Sequence, residues 1–397
     1  MVEMDGATKT KHVPGLLVLL MMGAFGVTGG ALIAPALPSL IQPFSVTEDR
    51  VGLVLSVYTM SAAISLPLIG FLLDRLGRKT VGITCLLLDG LFGVACAFAP
   101  NFRVLLLLRF FQGIGIAGLI PVAMTIIGDY YKERRLRLHL MGILSGTISG
   151  SAALIPLLGG ALAGLDWRYP FFVYGFSGIL AAAFFLFIPE TRPNLDLPQS
   201  LQKEVGAYLD KLRRALAIKR VQETFAHSFL LYFLLYTLVA FLALYLVRQH
   251  ALNTFVAGLG LTVQASLAVV VASKASWIDG FLTWKQKLTA GFILISLALG
   301  SVPLWGSPAG VAISLLVFGV GMGVIQPAVY HEATAAPPAE LAGSVVALFN
   351  TMKYIGMSSS PFLLGYVSRL HSLGAAFTAA AALSAAWAIF TVWGTRD

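Results

Sequence analysis

The sequence predicts an all-α membrane protein: twelve transmembrane helices in two pseudo-symmetric six-helix bundles, with both termini cytoplasmic. Three observations carry that prediction. Of 397 residues, 58% are apolar and only 11% charged, under half the roughly 25% charge of a soluble chain. The apolar residues fall into runs long enough for about a dozen spans of about 20 residues each. The Lys and Arg residues gather on alternate connections.

Read between charges and Pro/Gly punctuation, the runs are 14–37, 49–72, 80–99, 103–128, 139–164, 170–188, 222–247, 254–275, 288–305, 309–331, 342–367 and 373–393. The run beginning at Pro14 is too long for a signal-peptide core, and more spans follow, so it counts as the first helix. Nineteen Lys/Arg lie on the terminal segments and the even-to-odd connections, against five on the odd-to-even ones. That bias places the termini inside. The net charge of +9 is therefore a topology signal and no indication of nucleic-acid binding. Cys85 and Cys96 stand eleven residues apart in one run, about 16 Å of helical rise and too far for a disulfide. The histidines are scattered, and no metal-ligand spacing occurs.

Segment 189–221 is the one long polar stretch, so the expected domains are 1–188, a cytoplasmic linker 189–221, and 222–397. Three prolines (Pro189, Pro193, Pro198) open the linker. Val205, Leu209, Leu212, Leu216 and Ile218 then recur among charges, the pattern of an amphipathic helix on the inner membrane face; a solvated tether is the alternative. The two halves look related. Gly113, Gly115 and Pro121 recur as Gly319, Gly321 and Pro327, each 206 residues on. Ile155-Pro156 and Gly159 are echoed by Ser360-Pro361 and Gly365. Parallel repeats of this kind mark transporter halves.

The most specific motif is Gly70-Phe-Leu-Leu-Asp74-Arg75-Leu-Gly77-Arg78-Lys79. An acid ends one helix, a glycine permits a sharp turn, and three cations hold the loop on the inner face. Asp74 can pair with those cations or sit at the positive end of a neighbouring helix. A charge contact of that kind between moving halves would act as a latch.

These ten residues match at every defining position the loop signature of the major facilitator superfamily, which the chain therefore resembles. Arg109-Phe-Phe-Gln112-Gly113-Ile-Gly115-Ile-Ala117 is similar to the family's fourth-helix motif. Gly29 and Pro35-Ala-Leu-Pro38 are similar to the first-helix pattern of its twelve-helix drug:proton antiporter branch. Gly142, Pro156, Gly159 and Gly160, with Pro361 in the second half, fit the helix-packing antiporter motif, although Ser151 and Ile155 stand where glycines are expected. The second-half counterpart of the loop, 279–287, is degenerate. The resemblance implies alternating access, proton coupling, and a gate in which Asp74 meets the start of the eleventh helix.

Ionisable groups within spans are costly and are functional candidates. Arg109 reads as a polar anchor or a cation tuning a proton carrier. Lys353, beside Asn350, reads as a cavity cation, or as a snorkelling or ion-paired lysine. Gln112, Tyr236 and Gln326 complete the candidate central site. Asp89 is the single carboxylate near mid-membrane, a proton carrier or a structural pair; Glu332 and Asp129, at inner helix ends, are the other proton-coupling candidates. Three buried bases against one clear acid describe a cavity suited to anionic, zwitterionic or acid-headed amphiphiles.

The expected function is secondary active transport of a small amphiphilic molecule, as proton-coupled efflux of a drug or metabolite. An importer or facilitator of an organic anion, using Arg109 and Lys353, is the alternative. No nucleotide-binding loop, catalytic cluster or cofactor site is present in the sequence, so an enzyme is not expected. The partners are the substrate, protons and the bilayer, and one chain with both halves suffices as a monomer. Short loops and the lack of an Asn-x-Ser/Thr site point to the plasma membrane of a bacterium, its inner membrane.

Overall fold

The computed structural model describes residues 6–190, 206, 210, 213–338 and 341–394. Among these there are no strands. The long helices are α1 (Gly6–Phe25, continued after a break by Thr28–Ala31 and Leu37–Phe44), α2 (Leu53–Leu76), α3 (Arg78–Ala95), α4 (Phe102–Tyr130), α5 (Arg134–Leu165), α6 (Gly175–Phe187), α7 (Lys219–His250), α8 (Thr254–Ala272), α9 (Trp284–Ser301), α10 (Pro308–Ala335), α11 (Ala342–Leu370) and α12 (Leu373–Gly394).

Among the described residues, ten helices are long and apolar enough to cross a bilayer, and α1 makes an eleventh when its two parts, bent by 45°, count as one span. The remaining helix, α11, is 29 residues long, about 43 Å, but carries Asn350, Lys353 and Ser358–Ser360. It packs against α2 and α7, which shelter those polar groups from lipid. The chain is a multi-pass membrane protein.

Local chemistry sets the helix ends. Asn101 and Asn253 cap α4 and α8 by accepting from the amides of Val104 and Val256, both at 3.0 Å, satisfying donors that the first turn leaves free. Thr283 and Gln286 form a reciprocal capping box, so α9 starts four residues before the expected 288. The first helix runs past the expected 37 to Phe44 because its break at 26–28 reorients it without ending it. Helix α5 starts at Arg134 rather than 139, its charged first turns extending beyond the apolar core. Lys274, expected within the eighth span, follows the end of α8 and is exposed. Val205, Leu209 and Leu212 of the expected amphipathic segment lie outside the described residues.

Helices α1–α6 pack chiefly on one another, as do α7–α12, and the two sets meet through α5 on α8 and α2 on α11. These seams are close-packed at one end only. In the α5–α8 seam, a side chain at Gly160 would overlap the Thr254 carbonyl and one at Gly258 the Pro156 carbonyl; beside it, within the first half, one at Gly159 would overlap the Leu32 carbonyl. In the other seam, Ser56 Oγ donates to the Ser358 carbonyl at 2.8 Å and Ser358 Oγ to the Ser56 carbonyl at 2.9 Å. A Cβ at Gly52 would lie 3.1 Å from Pro361 Cβ. Glu48 and Arg248 form an ion pair at the rim. All of these contacts lie at the end carrying the sparsely charged connections. Toward the Lys/Arg-rich end, a Cβ at Gly70, Gly142 or Gly146 would meet no atom within 4 Å. The molecule is closed at one end and open at the other.

Candidate functional site

Asp89 lies inside the first half, on α3, wholly buried. Ser177 Oγ donates to its Oδ2 at 2.6 Å and Gln112 Nε2 to its Oδ1 at 3.0 Å. The Gln112 carbonyl oxygen in turn accepts from Arg109 Nη1 at 2.7 Å. Among the described residues no ion pair joins Asp89 to Arg109; the Gln112 amide stands between them. Arg109 also donates to the carbonyls of Gly29 at 2.7 Å and Val54 at 3.3 Å, and its guanidinium lies 4.1 Å above the Tyr58 ring. Such hydrogen bonds and cation–π contact are what a buried guanidinium requires. Arg109 and Gln112 are both 0% exposed, so the structure places these two expected cavity residues inside the helix packing.

The break in α1 joins this network to the second half. Gly29 accepts from Arg109, and a side chain on it would overlap the Tyr58 hydroxyl; one on Gly30 would overlap the hydroxyl of Tyr236 on α7. Two adjacent glycines leave both faces of the backbone free, so that each touches a phenol from a different half.

A second polar cluster lies on α7, α10 and α11. Lys353 Nζ sits 5.6 Å from the centre of the Tyr232 ring and 5.0 Å from that of Tyr354. The Tyr232 and Tyr330 hydroxyls are 2.8 Å apart, and Gln326 Nε2 donates to Tyr232 at 2.9 Å. Asn350 bonds within its own helix, to the Val346 carbonyl at 2.9 Å. Tyr330 is 38% exposed, so this cluster borders the open space.

The two remaining proton-coupling candidates are ion-paired. Glu332, on α10, receives both nitrogens of a fork from Arg220 of α7. Asp129, at the end of α4, accepts from Arg78 Nε at 2.9 Å. Both pairs join helices within one half. Arg78 also donates to the Leu73 carbonyl at 2.9 Å, fastening α2 to α3 across the tight turn. Gly77 in that turn has φ +91°, a left-handed value suited to glycine. The Glu190 carboxylate caps α3, accepting from the amides of Arg78 at 2.8 Å and Lys79 at 3.3 Å, where the helix end is positive. Arg75 leans over Phe71 and Lys79 over Phe185. The side chain of Asp74 lies outside the described residues.

A family model described as the Major Facilitator Superfamily matches residues 19–361. The chain belongs to this superfamily. It is 29% identical over 353 residues to the "Bacillibactin exporter" of Bacillus subtilis, covering 84% of each chain. It is 26% identical over 353 residues to the "Quinolone resistance protein NorA" of Staphylococcus aureus, covering 86% of this chain and 87% of that one. Its fold is similar to the crystal structure of a bacterial homolog of the human lysosomal transporter Spinster in an inward-facing, unoccupied conformation. The TM-score is 0.78 at 20% identity, covering 95% of this chain and 94% of that one. The superfamily protein is a transporter and not an enzyme.

Sequence reasoning placed Asp89, Gln112 and Arg109 individually but not as one chain of hydrogen bonds, and it missed Ser177, Glu190, Tyr330 and the Ser56–Ser358 pair. Ser177 and Glu190 carry no local signal, since each acts on a helix about 90 to 110 positions away. Tyr330 was legible: it stands one helical turn from Gln326, on the same face.

Proposed function

We propose that this superfamily transporter is a proton-coupled exporter of small amphiphilic molecules, working by alternating access between the bundles 1–188 and 222–397, with 189–221 as their cytoplasmic tether. The reading puts both termini in the cytoplasm and the protein in a bacterial inner membrane, acting as a monomer without a cofactor. The sparsely charged, closed end then faces outward, and the structure is the inward-open state. Pro156 opposite Gly258 and Gly160 opposite Thr254 define an antiparallel register for α5 and α8. Continued to the open end, it carries Gly142 opposite Ala272 and Ser149 opposite Ala265, small residues suited to close approach when the inner end shuts. The same reasoning along α2 and α11 brings position 74 to the start of α11, where the expected latch of Asp74, Arg75, Arg78 and Lys79 would engage.

One observation carries the proton assignment, and it comes from the internal repeat. Gly113 packs on α2 and Gly115 on the backbone of Asp89 and Cys85; 206 residues on, Gly319 packs on α8 and Gly321 on Gly291, Leu294 and Ile295. The two halves therefore superpose locally, and Asp89, Arg109 and Gln112 correspond to Ile295, Leu315 and Phe318. Those three are buried and apolar. The fold is thus satisfied by hydrocarbon at these positions, and a buried polar set is no more stabilising than the apolar one. Its retention in the first half points to function. A hydroxyl both donates and accepts, so Ser177 can hold Asp89 ionised or protonated. A change of charge there would act through Gln112 on Arg109, and through the Gly29 carbonyl on the α1 break that Tyr236 touches.

The test uses inside-out vesicles with an acidic lumen, to which an amphiphile is added while lumenal pH is read. The wild type releases protons on addition; Asp89→Asn should reduce that release to background. Retained proton release in Asp89→Asn overturns the assignment. A triple variant carrying the second half's residues (Asp89→Ile, Arg109→Leu, Gln112→Phe) should insert and fold while remaining uncoupled.

A further inference from the structure

The Lys353 ammonium has no carboxylate partner among the described residues. Its depth excludes escape to the interface: it stands eleven residues inside the start of α11, about 16 Å along the axis, well beyond the reach of a lysine stem. An ammonium held there is stabilised by the faces of Tyr232 and Tyr354 through cation–π contact. None of these groups neutralises its charge. In a low-dielectric wall, an unneutralised cation bordering open space attracts an anion far more strongly than it would in water.

Resting on the exporter reading above, and deepening it to a substrate class, we propose that Lys353, Tyr232, Tyr330, Tyr354 and Gln326 form the binding site for the head of an aromatic carboxylate. The ammonium meets the carboxylate charge, the Tyr330 and Tyr232 hydroxyls supply hydrogen bonds to its two oxygens, and the Tyr354 and Tyr232 rings flank the aromatic body. The groups come from α7, α10 and α11 and meet in one cluster. The same arrangement rejects a lipophilic cation, which would place like charges together where water does not screen them. Gln326, donating to Tyr232, fixes the hydrogen-bonded pair of phenols in place. Arg109, buried in the first half, is sealed by carbonyls and a ring and takes no part.

The experiment measures binding to the purified full-length protein of three probes of one shape: 2-naphthoate, neutral 2-naphthamide and cationic 2-naphthylmethylammonium. The wild type should bind the carboxylate about tenfold or more tighter than either of the others, the size of one charge-assisted contact. Lys353→Gln should bring carboxylate and amide to within about twofold, while Lys353→Arg, which keeps the charge, should retain most of the preference. Equal binding of the three probes by the wild type overturns the proposal without any variant. So does a carboxylate preference that survives Lys353→Gln in protein of unchanged melting temperature. Vesicle transport separates this result from the exporter reading. Selective binding without proton release would leave the site standing and the export mechanism refuted; proton release driven equally by the cation would do the reverse.

Discussion

Two substitutions on one helix should push this transporter in opposite directions. A methyl on Gly160 of α5 would lie 3.1 Å from the carbonyl carbon of Thr254 and 3.2 Å from Gly258 Cα, with the Thr254 oxygen nearer still. These are backbone atoms of α8 that no rotamer change can move, so Gly160→Ala must part α5 from α8 at the closed end. Overpacking of that kind costs about 1–3 kcal/mol, and the cost falls only on the state in which this end is shut. The equilibrium should therefore shift about 5- to 150-fold toward the state with this end open. Gly142, eighteen positions earlier on α5, meets nothing within 4 Å. Gly142→Leu costs little in the present state, and the same penalty appears only when the open end closes on Ala272. It should trap the present state.

Two reporter cysteines distinguish these outcomes, in a background where the buried Cys85 and Cys96 are replaced by serine. One is Ala36→Cys, in the short 3-10 turn Ala34–Ala36 of the first helix, 0% exposed where that turn packs against α5, α7 and α8; the other is Tyr330→Cys, facing the open space. Gly160→Ala should raise the rate of maleimide labelling at position 36 and lower it at 330. Gly142→Leu should leave 36 protected and 330 reactive, with turnover lost. The reasoning is refuted if Gly160→Ala leaves both labelling rates at wild-type values, or if Gly142→Leu exposes position 36.

The reciprocal Ser56–Ser358 bonds latch α2 to α11 at the closed end. Ser56→Ala and Ser358→Ala should each increase labelling of Ala36→Cys severalfold, about 0.5–1.5 kcal/mol per lost bond. The double variant should fall short of the sum, because the two hydroxyls act on one joint; full additivity would show that they do not. The Glu190 cap holds the start of α3, so Glu190→Ala should lower the detergent melting temperature, with a loss of about 0.5–2 kcal/mol. Gly77→Ala should cost at least as much, since its φ is unsuited to a side chain and a Cβ would lie 2.6 Å from the Glu190 carboxylate. A melting temperature unchanged in both would remove that cap from the account.

How much of this was legible in the sequence depended on whether the signal was local. Helices longer than 20 apolar residues announce themselves, and so does a turn built as Asp74-Arg-Leu-Gly77-Arg-Lys, because each residue acts on its near neighbours. The glycine spacing of α4 and α10 was legible as a repeat, yet its use, close approach to α3 and α9, needed the packing. Helix α11 is the instructive case. Its polar residues make it the weakest span by hydropathy, and the helix accommodates them by packing against α2 and α7. The pairing of Glu332 with Arg220, across 112 positions, had no sequence signature, so a carboxylate near a helix end read as a candidate proton carrier.

The repeat also argues for a division of labour that can be tested as a pair. The first half has polar groups at 89, 109 and 112 where the second half has hydrocarbon. Conversely, Gln326 and Tyr330 of α10 answer, 206 positions earlier, to Ile120 and Met124 of α4, which can offer a carboxylate nothing. On the reading proposed above, coupling and recognition sit in opposite halves, joined where Gly29 and Gly30 touch Tyr58 and Tyr236. If the division holds, Lys353→Gln should change which probe binds while leaving the number of protons released per molecule exported unchanged. Asp89→Asn should abolish proton release while leaving the order of the three naphthyl probes intact. A Lys353 variant that altered the proton count, or an Asp89 variant that altered the probe order, would mean that the charge of one half enters the site of the other directly. The separation along the α1 break would then have to be abandoned in favour of a single shared cavity.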